Sequence, residues 1–216
     1  MTGATATLLS PSDRDLVLRA MSGLCAERGY AETAVAEIVA RAGVSEQTFH
    51  ELFADKEECA IGAVNAILGE VMSVFASSYS ADLSEWDSIV VGIRAILELM
   101  AANPSFAYIS YITARQMATP RVQEAREPGV RLLRAMLERL WAYAEDRPQP
   151  AAVPIAALGG AEAAVRRALV SGQTEELPRL LPDFVYAAAV PFLGQEEALR
   201  LARRGRELLR GSRWGP

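Results

Sequence analysis

The stretch Y-A-E-T-A-V-A-E-I-V-A-R-A-G-V-S-E-Q-T-F-H-E-L-F-A-D-K, from Tyr30 to Lys56, restricts this chain more than any other part of it. Apolar residues recur at helical spacing in two short runs, Val35, Ile38, Val39 and Ala42, then Phe49, Leu52 and Phe53. Between the runs stands Gly43, suited to a left-handed turn, followed by Ser45 where a helix N-cap belongs. Two short helices joined so tightly cross at a steep angle, and the crossing exposes the N-terminal face of the second. That face has the shape that enters a major groove. A preceding helix supplies the surface they pack on. Its stripe is Leu16, Val17, Ala20, Met21, Leu24 and Cys25, with Ser10 expected as N-cap, Pro11 at the first helical position and Gly29 as the stop.

Helical periodicity continues to the end of the chain without convincing strand alternation. Asp55-Lys56-Glu57-Glu58 has the form of a capping box and opens a helix to about Ser77. Ser84-x-x-Asp87 opens another, with a stripe of Ile89, Ile93, Ile96, Leu97 and Met100, that stops at Asn103-Pro104. Further helices are expected over about 105–117, from Thr119-Pro120 to about Glu145, and over 153–171, 175–191 and 195–209. The fold class is therefore all-α, with an N-terminal three-helix helix-turn-helix domain at 10–54 and a C-terminal multi-helix domain at 55–211.

Composition narrows the functions open to such a chain. With 51% hydrophobic and 23% charged residues it is globular rather than disordered. No unbroken apolar run reaches the roughly 18 residues of a membrane span, and the start M-T-G-A-T-A-T-L-L-S lacks the pattern of a signal peptide. No membrane partner is expected, and a cytoplasmic location is. Cys25 and Cys59 have no C-x-x-C spacing and are read as buried reduced thiols, a redox switch being the minority reading. His50 is the only histidine, and there are no metal-spaced cysteines and no Gly-rich phosphate loop. No catalytic residue, metal or cofactor is expected, which argues against an enzyme. The charge runs against nucleic-acid binding: residues 1–58 hold five basic side chains against ten acidic ones, the whole net charge of −5.

Arg14, Gly29-Tyr30, Thr33, Ile38, Ala42-Gly43-Val44-Ser45, Thr48-Phe49, Phe53 and Lys56-Glu57 stand in an unbroken spacing. In these elements residues 14 to 64 resemble the N-terminal domain of tetracycline-repressor-type (TetR-like) regulators. The resemblance covers about a quarter of the chain. It implies a ligand-responsive DNA-binding transcriptional regulator, a repressor released from a palindromic operator by a small hydrophobic effector. The C-terminal domain would then bind the effector and dimerise. His50 stands where that family usually has tyrosine, Gln47 where it has a small or flexible residue, and Ala34 where a hydroxyl is common. Without that hydroxyl, Thr33 must cap the helix one residue early or the helix begins less firmly.

The residues expected at DNA are Thr33, Arg41, Ser45, Glu46, Gln47, Thr48, His50 and Lys56. Gln47 is the choice for base readout, since its amide can pair bidentately with adenine, while Thr33, Arg41 and Lys56 would hold the backbone. Two to three cationic contacts per subunit would produce a slope of log K against log salt of about −4 to −5 for a dimer. The effector is expected against Trp86, Met100, Phe106, Tyr111, Met117 and Trp141, aromatic and soft side chains at helical spacing. Arg94 and Arg115 could meet an anionic group, and plain core or surface roles explain the same residues. A homodimer is expected through residues 153–191, where Ala156, Ala157, Gly159, Gly160, Ala164, Ala187 and Ala188 allow close approach. Leu158, Leu169, Leu180, Phe184 and Val190 would supply the apolar contact. Ligand binding would act on the spacing of the two heads through the fourth helix. The rival reading is a TetR-like ligand-binding or interaction protein that has lost operator binding.

Overall fold

Capping side chains decide where the N-terminal helices begin. In the computed structural model, which describes residues 12–78, 80, 82–117, 119–125, 127, 128, 131, 135 and 152–210, α1 spans Asp13–Arg28. Ser12 accepts the Asp15 N–H and Asp15 accepts the Ser12 N–H, each at 3.2 Å. The acid three residues on thus selects Ser12 over the expected Ser10, which with Pro11 lies outside the described residues. α2 (Val35–Ala42) has no hydroxyl at its cap, but the Ala34 N–H donates to Glu37 Oε2 at 3.1 Å, half of a capping box. Gly43 follows with φ 73° and ψ 27°, its N–H donating to Val39 O at 2.9 Å. This is the left-handed stop that turns the chain into α3 (Glu46–Leu52). Asp55 caps α4 (Lys56–Ser77) by accepting the Glu58 N–H at 2.7 Å, the main reason its carboxyl is held below the usual range.

The body follows as α5 (Glu85–Ala102), capped by Ser84, and α6 (Pro104–Met117), whose middle, Ile109–Thr113, is π-helical. Residues 120–125 are helical, and the rest of the helix expected to reach about Glu145 lies largely outside the described residues. α7 (Ala152–Val170), α8 (Leu181–Leu193) and α9 (Gln195–Leu209) complete the chain, and no strand occurs among the described residues. The single helix expected at 175–191 is instead a 3-10 turn, Thr174–Leu180, followed by α8. Pro178 and Pro182 explain the break, since each lacks the N–H that a continuous α-helix would use.

Two large cores form among the described residues, beside two smaller clusters, and α6 belongs to both large ones. The head core holds Val17, Met21, Leu24, Ile38, Phe49 and Phe53, and runs past residue 54 through Cys59, Ala60 and Ala63 of α4 to Ile109 of α6. The body core holds Val90, Leu97, Met100, Val165, Leu177, Leu181, Val185 and Leu201, with Ala107 and Ile112 from α6. By length and mean hydropathy α4 is apolar enough to cross a membrane, which the lack of an unbroken apolar run conceals. Its buried residues, from Cys59 and Ala63 to Ile67 and Phe75, pack on the neighbouring helices, a use that accounts for the apolar character.

Two local features make predictions. The hydroxyls of Ser110 and Thr113 in the π segment are buried without a hydrogen-bond partner among the described residues, and Thr113 is fully buried. Thr113→Val keeps the shape and removes the orphaned group, so it should stabilise the chain by about 1 kcal/mol in urea unfolding; a loss of stability would show that the hydroxyl is satisfied. Cys25 and Cys59 are free and fully buried, and burial pushes both thiols up, that of Cys59 to about 12. An aromatic disulfide reagent should modify neither in the native protein and both in guanidinium chloride.

Candidate nucleic-acid interface and effector cavity

α3 rests on Phe49, which is fully buried, and the chain continues into Phe53, 2% exposed, with ring centroids 5.7 Å apart. The opposite side presents Ser45, Glu46, Gln47 and His50 as exposed residues and Thr48 as a half-buried one. Ser45 Oγ accepts the Thr48 N–H at 2.9 Å and lies 2.8 Å from Thr48 Oγ1. Gln47 Nε2 donates to Glu51 Oε1 at 2.9 Å, so its amide has an intrahelical partner to exchange for a base. His50 stands edge-on to Phe49 with centroids 5.3 Å apart. Five of the eight residues expected at DNA therefore keep surface exposure on α3 or at its cap.

The three expected to hold phosphates are already engaged. Thr33 is 1% exposed and its hydroxyl donates to Gly29 O at 2.9 Å, so it neither caps α2 nor reaches the surface. Arg41 makes a two-pronged pair with Glu27, both contacts 2.7 Å, which holds the glutamate below and the guanidinium above their usual ranges. Lys56 Nζ donates to Tyr30 O at 3.0 Å and Thr33 O at 2.8 Å, and sits 4.2 Å from the centre of the Tyr30 ring. Burial first, then the charges of Glu57 and Asp55, push the Tyr30 phenol up to about 12. The lysine that looks misplaced at a helix N-terminus thus ties the turn between α1 and α2 to α4. Arg14 lies 4.9 Å over the Phe53 ring, and Arg19, exposed, has no ion-pair partner among the described residues.

In the body a partly open cavity of about 390 Å³ lies between α5, α6, α7 and α8. Ile89, Ile93, Ile96, Leu97 and Met100 form one wall, Tyr111 another, and Ala156, Ala157, Gly160, Ala161 and Val165 face Phe184, Ala187 and Ala188. Of the expected effector residues, Met100 and Tyr111 line it. Trp86 and Met117 pack elsewhere, Trp86 on the body core and Met117 on the head core, and Phe106 is half-buried outside the lining. Trp141 lies outside the described residues. The α5 stripe was visible as a buried face, but nothing local marks which buried face borders a void.

Arg94 and Arg115 are not free for an anion: Arg94 bonds Glu98 at 2.8 Å, and Arg115 pairs with Glu162 of the cavity lining. At the junction Arg121 meets Asp55 and Glu57 at 3.1 and 3.0 Å, and Thr119 also bonds Glu57, contacts across more than sixty residues that no short motif announces. Ser45→Ala should cost about 0.5–2 kcal/mol by loss of the cap. Lys56→Met should cost about 1–3 kcal/mol, because it leaves two carbonyls without their charged donor. Thermal unfolding of the two variants distinguishes these roles from solvated surface residues, whose loss would leave the transition unmoved.

Residues 17–62 match the sequence profile of bacterial regulatory proteins of the tetR family. No curated protein is similar to the chain at the sequence level. Among solved structures, the fatty acid degradation regulator FadR from Bacillus halodurans superposes with a TM-score of 0.72 at 17% identity, over 87% of this chain and 98% of that one. FadR from Bacillus subtilis, solved in complex with stearoyl-CoA, gives 0.67 at 15% identity, over 83% and 97%. TylP, a tetR regulator from Streptomyces fradiae, gives 0.68 at 19% identity, over 89% and 93%. The chain thus carries the N-terminal domain of the tetR family of bacterial regulatory proteins on a body with the fold of TetR-like regulators.

Proposed function

We propose that the chain is a homodimeric transcriptional repressor, released from a palindromic operator when a small hydrophobic effector enters the body. The observation that carries the reading is the placement of α6: Tyr111 lines the cavity while Ile109, two residues away, is fully buried in the head core. A ligand that favours one position of α6 would bias the head attached to it, provided it binds the two positions with different affinity. The route expected through α4 would then run through α6 as well. The stearoyl-CoA complex of B. subtilis FadR supports a ligand-binding body for this fold.

The dimer would form through residues 153–191. Gly159 has open space beside it and Val170 is 70% exposed, which suits a partner helix, whereas Gly160 borders the cavity. Leu169 is buried in the body core, and Phe184 lines the cavity together with Ala156, Ala157, Ala187 and Ala188 of the same stretch. Light scattering at micromolar concentration should return twice 23.3 kDa. A value near 23.3 kDa would remove the dimer.

The rival reading, a TetR-like protein without an operator, is favoured by the engagement of Arg41 and Lys56 inside the head. A gel shift at low salt on the DNA flanking the coding region separates the two. Operator binding predicts a complex whose log K falls against log salt with a slope of about −2 to −4, shallower than the count of cations alone implied, because among the described residues of the head Arg19 and Arg14, the latter over the Phe53 ring, are the cations outside an ion pair or a backbone tie. Gln47→Ala should weaken that complex by about 1–3 kcal/mol and leave random DNA unchanged. Equal losses on both would exclude base reading by Gln47, and no complex on any flanking fragment would leave the rival standing.

A further inference from the structure

The cavity has apolar walls, and the two charged side chains among its described lining are both acids, Glu162 and Asp183. Glu162, 19% exposed, is paired with Arg115. Asp183, in the first turn of α8, has no hydrogen bond or ion pair among the described residues. Both arginines that could have served an anion, Arg94 and Arg115, are held by glutamates. An anionic head group entering this space would meet one unpaired carboxylate and no free cation among the described residues. A protonated amine would meet Asp183 and bring its apolar tail against Ile93, Ile96 and Met100.

We propose that the cavity selects lipophilic amines: an apolar body carrying a cationic group seated at Asp183, with neutral analogues bound less well and carboxylates least well. This rests on the reading of the cavity as an effector site and adds the charge of the effector. A small cavity with few polar groups takes its orientation from those groups, so one carboxylate at the edge of an apolar space decides which end of a ligand points where. Because Asp183 is exposed, water screens the pair, and the gain should be severalfold rather than a thousandfold.

The test uses the full chain and three probes of equal tail length: octylamine, octanol and octanoate, titrated by calorimetry. The expected order is amine, alcohol, carboxylate, with about tenfold between the first and last. Asp183→Asn should bring the amine to the affinity of the alcohol and leave the alcohol unchanged, whereas Asp82→Asn, an equal change of net charge in the loop before α5, should alter neither. Amine binding that survives Asp183→Asn, or a carboxylate bound as tightly as the amine, would overturn the proposal. Three equal affinities would overturn it too, while leaving the effector reading intact. Failure of all three probes to bind would overturn both.

Discussion

One segment, the π-helical turn of α6, stands in two cores at once, and the relation of head to body depends on it. Ile109 is part of the head core while Ala107 and Ile112 are part of the body core. A regular α-helix turns 100° per residue, so residues two and three apart face different ways, and the wider π turn changes which residues face which core. The turn leaves two hydroxyls buried and, among the described residues, unpaired. Each such group costs on the order of 1–3 kcal/mol, which the packing of Ile109 and Ile112 must offset.

The head shows how local chemistry and long-range packing divide the work. Ser12, Ser45 and Asp55 start α1, α3 and α4 by bonds within three residues. Lys56 acts over a longer reach, its ammonium gathering the carbonyls of Tyr30 and Thr33 beneath the Tyr30 ring. That arrangement stabilises the helix-turn-helix and at the same time removes a cation from the proposed DNA face. Arg41 is drawn off in the same way by Glu27. An acidic head is thus consistent with a face that reads bases through neutral side chains and gains little from phosphates.

Much of this was legible in the chain because it is written in short spacings. Gly43 between two apolar runs, Ser45 and the Ser84–Asp87 pair define elements by contacts three to four residues long. The last helix, α9, has the bounds its periodicity implies, since Gly194 and the apolar stripe mark it without competition. What escaped has no local mark. A π turn has the same residue preferences as the helix around it. The inward turn of Thr33 depends on Gly29, and Lys56 on carbonyls more than twenty residues back. Asp183 and Glu162 meet one cavity only because α8 packs on both α5 and α7.

The central claim is that occupancy of the cavity and the state of the head are linked through α6. Linkage is reciprocal, so it can be read as a change in affinity for DNA. Fluorescence anisotropy on a labelled duplex from the flanking DNA, with and without saturating octylamine at constant salt, measures it most directly. Coupling through α6 predicts a loss of DNA affinity of about fivefold or more, largely abolished in Ile109→Ala. An unchanged affinity with the cavity demonstrably filled would contradict it.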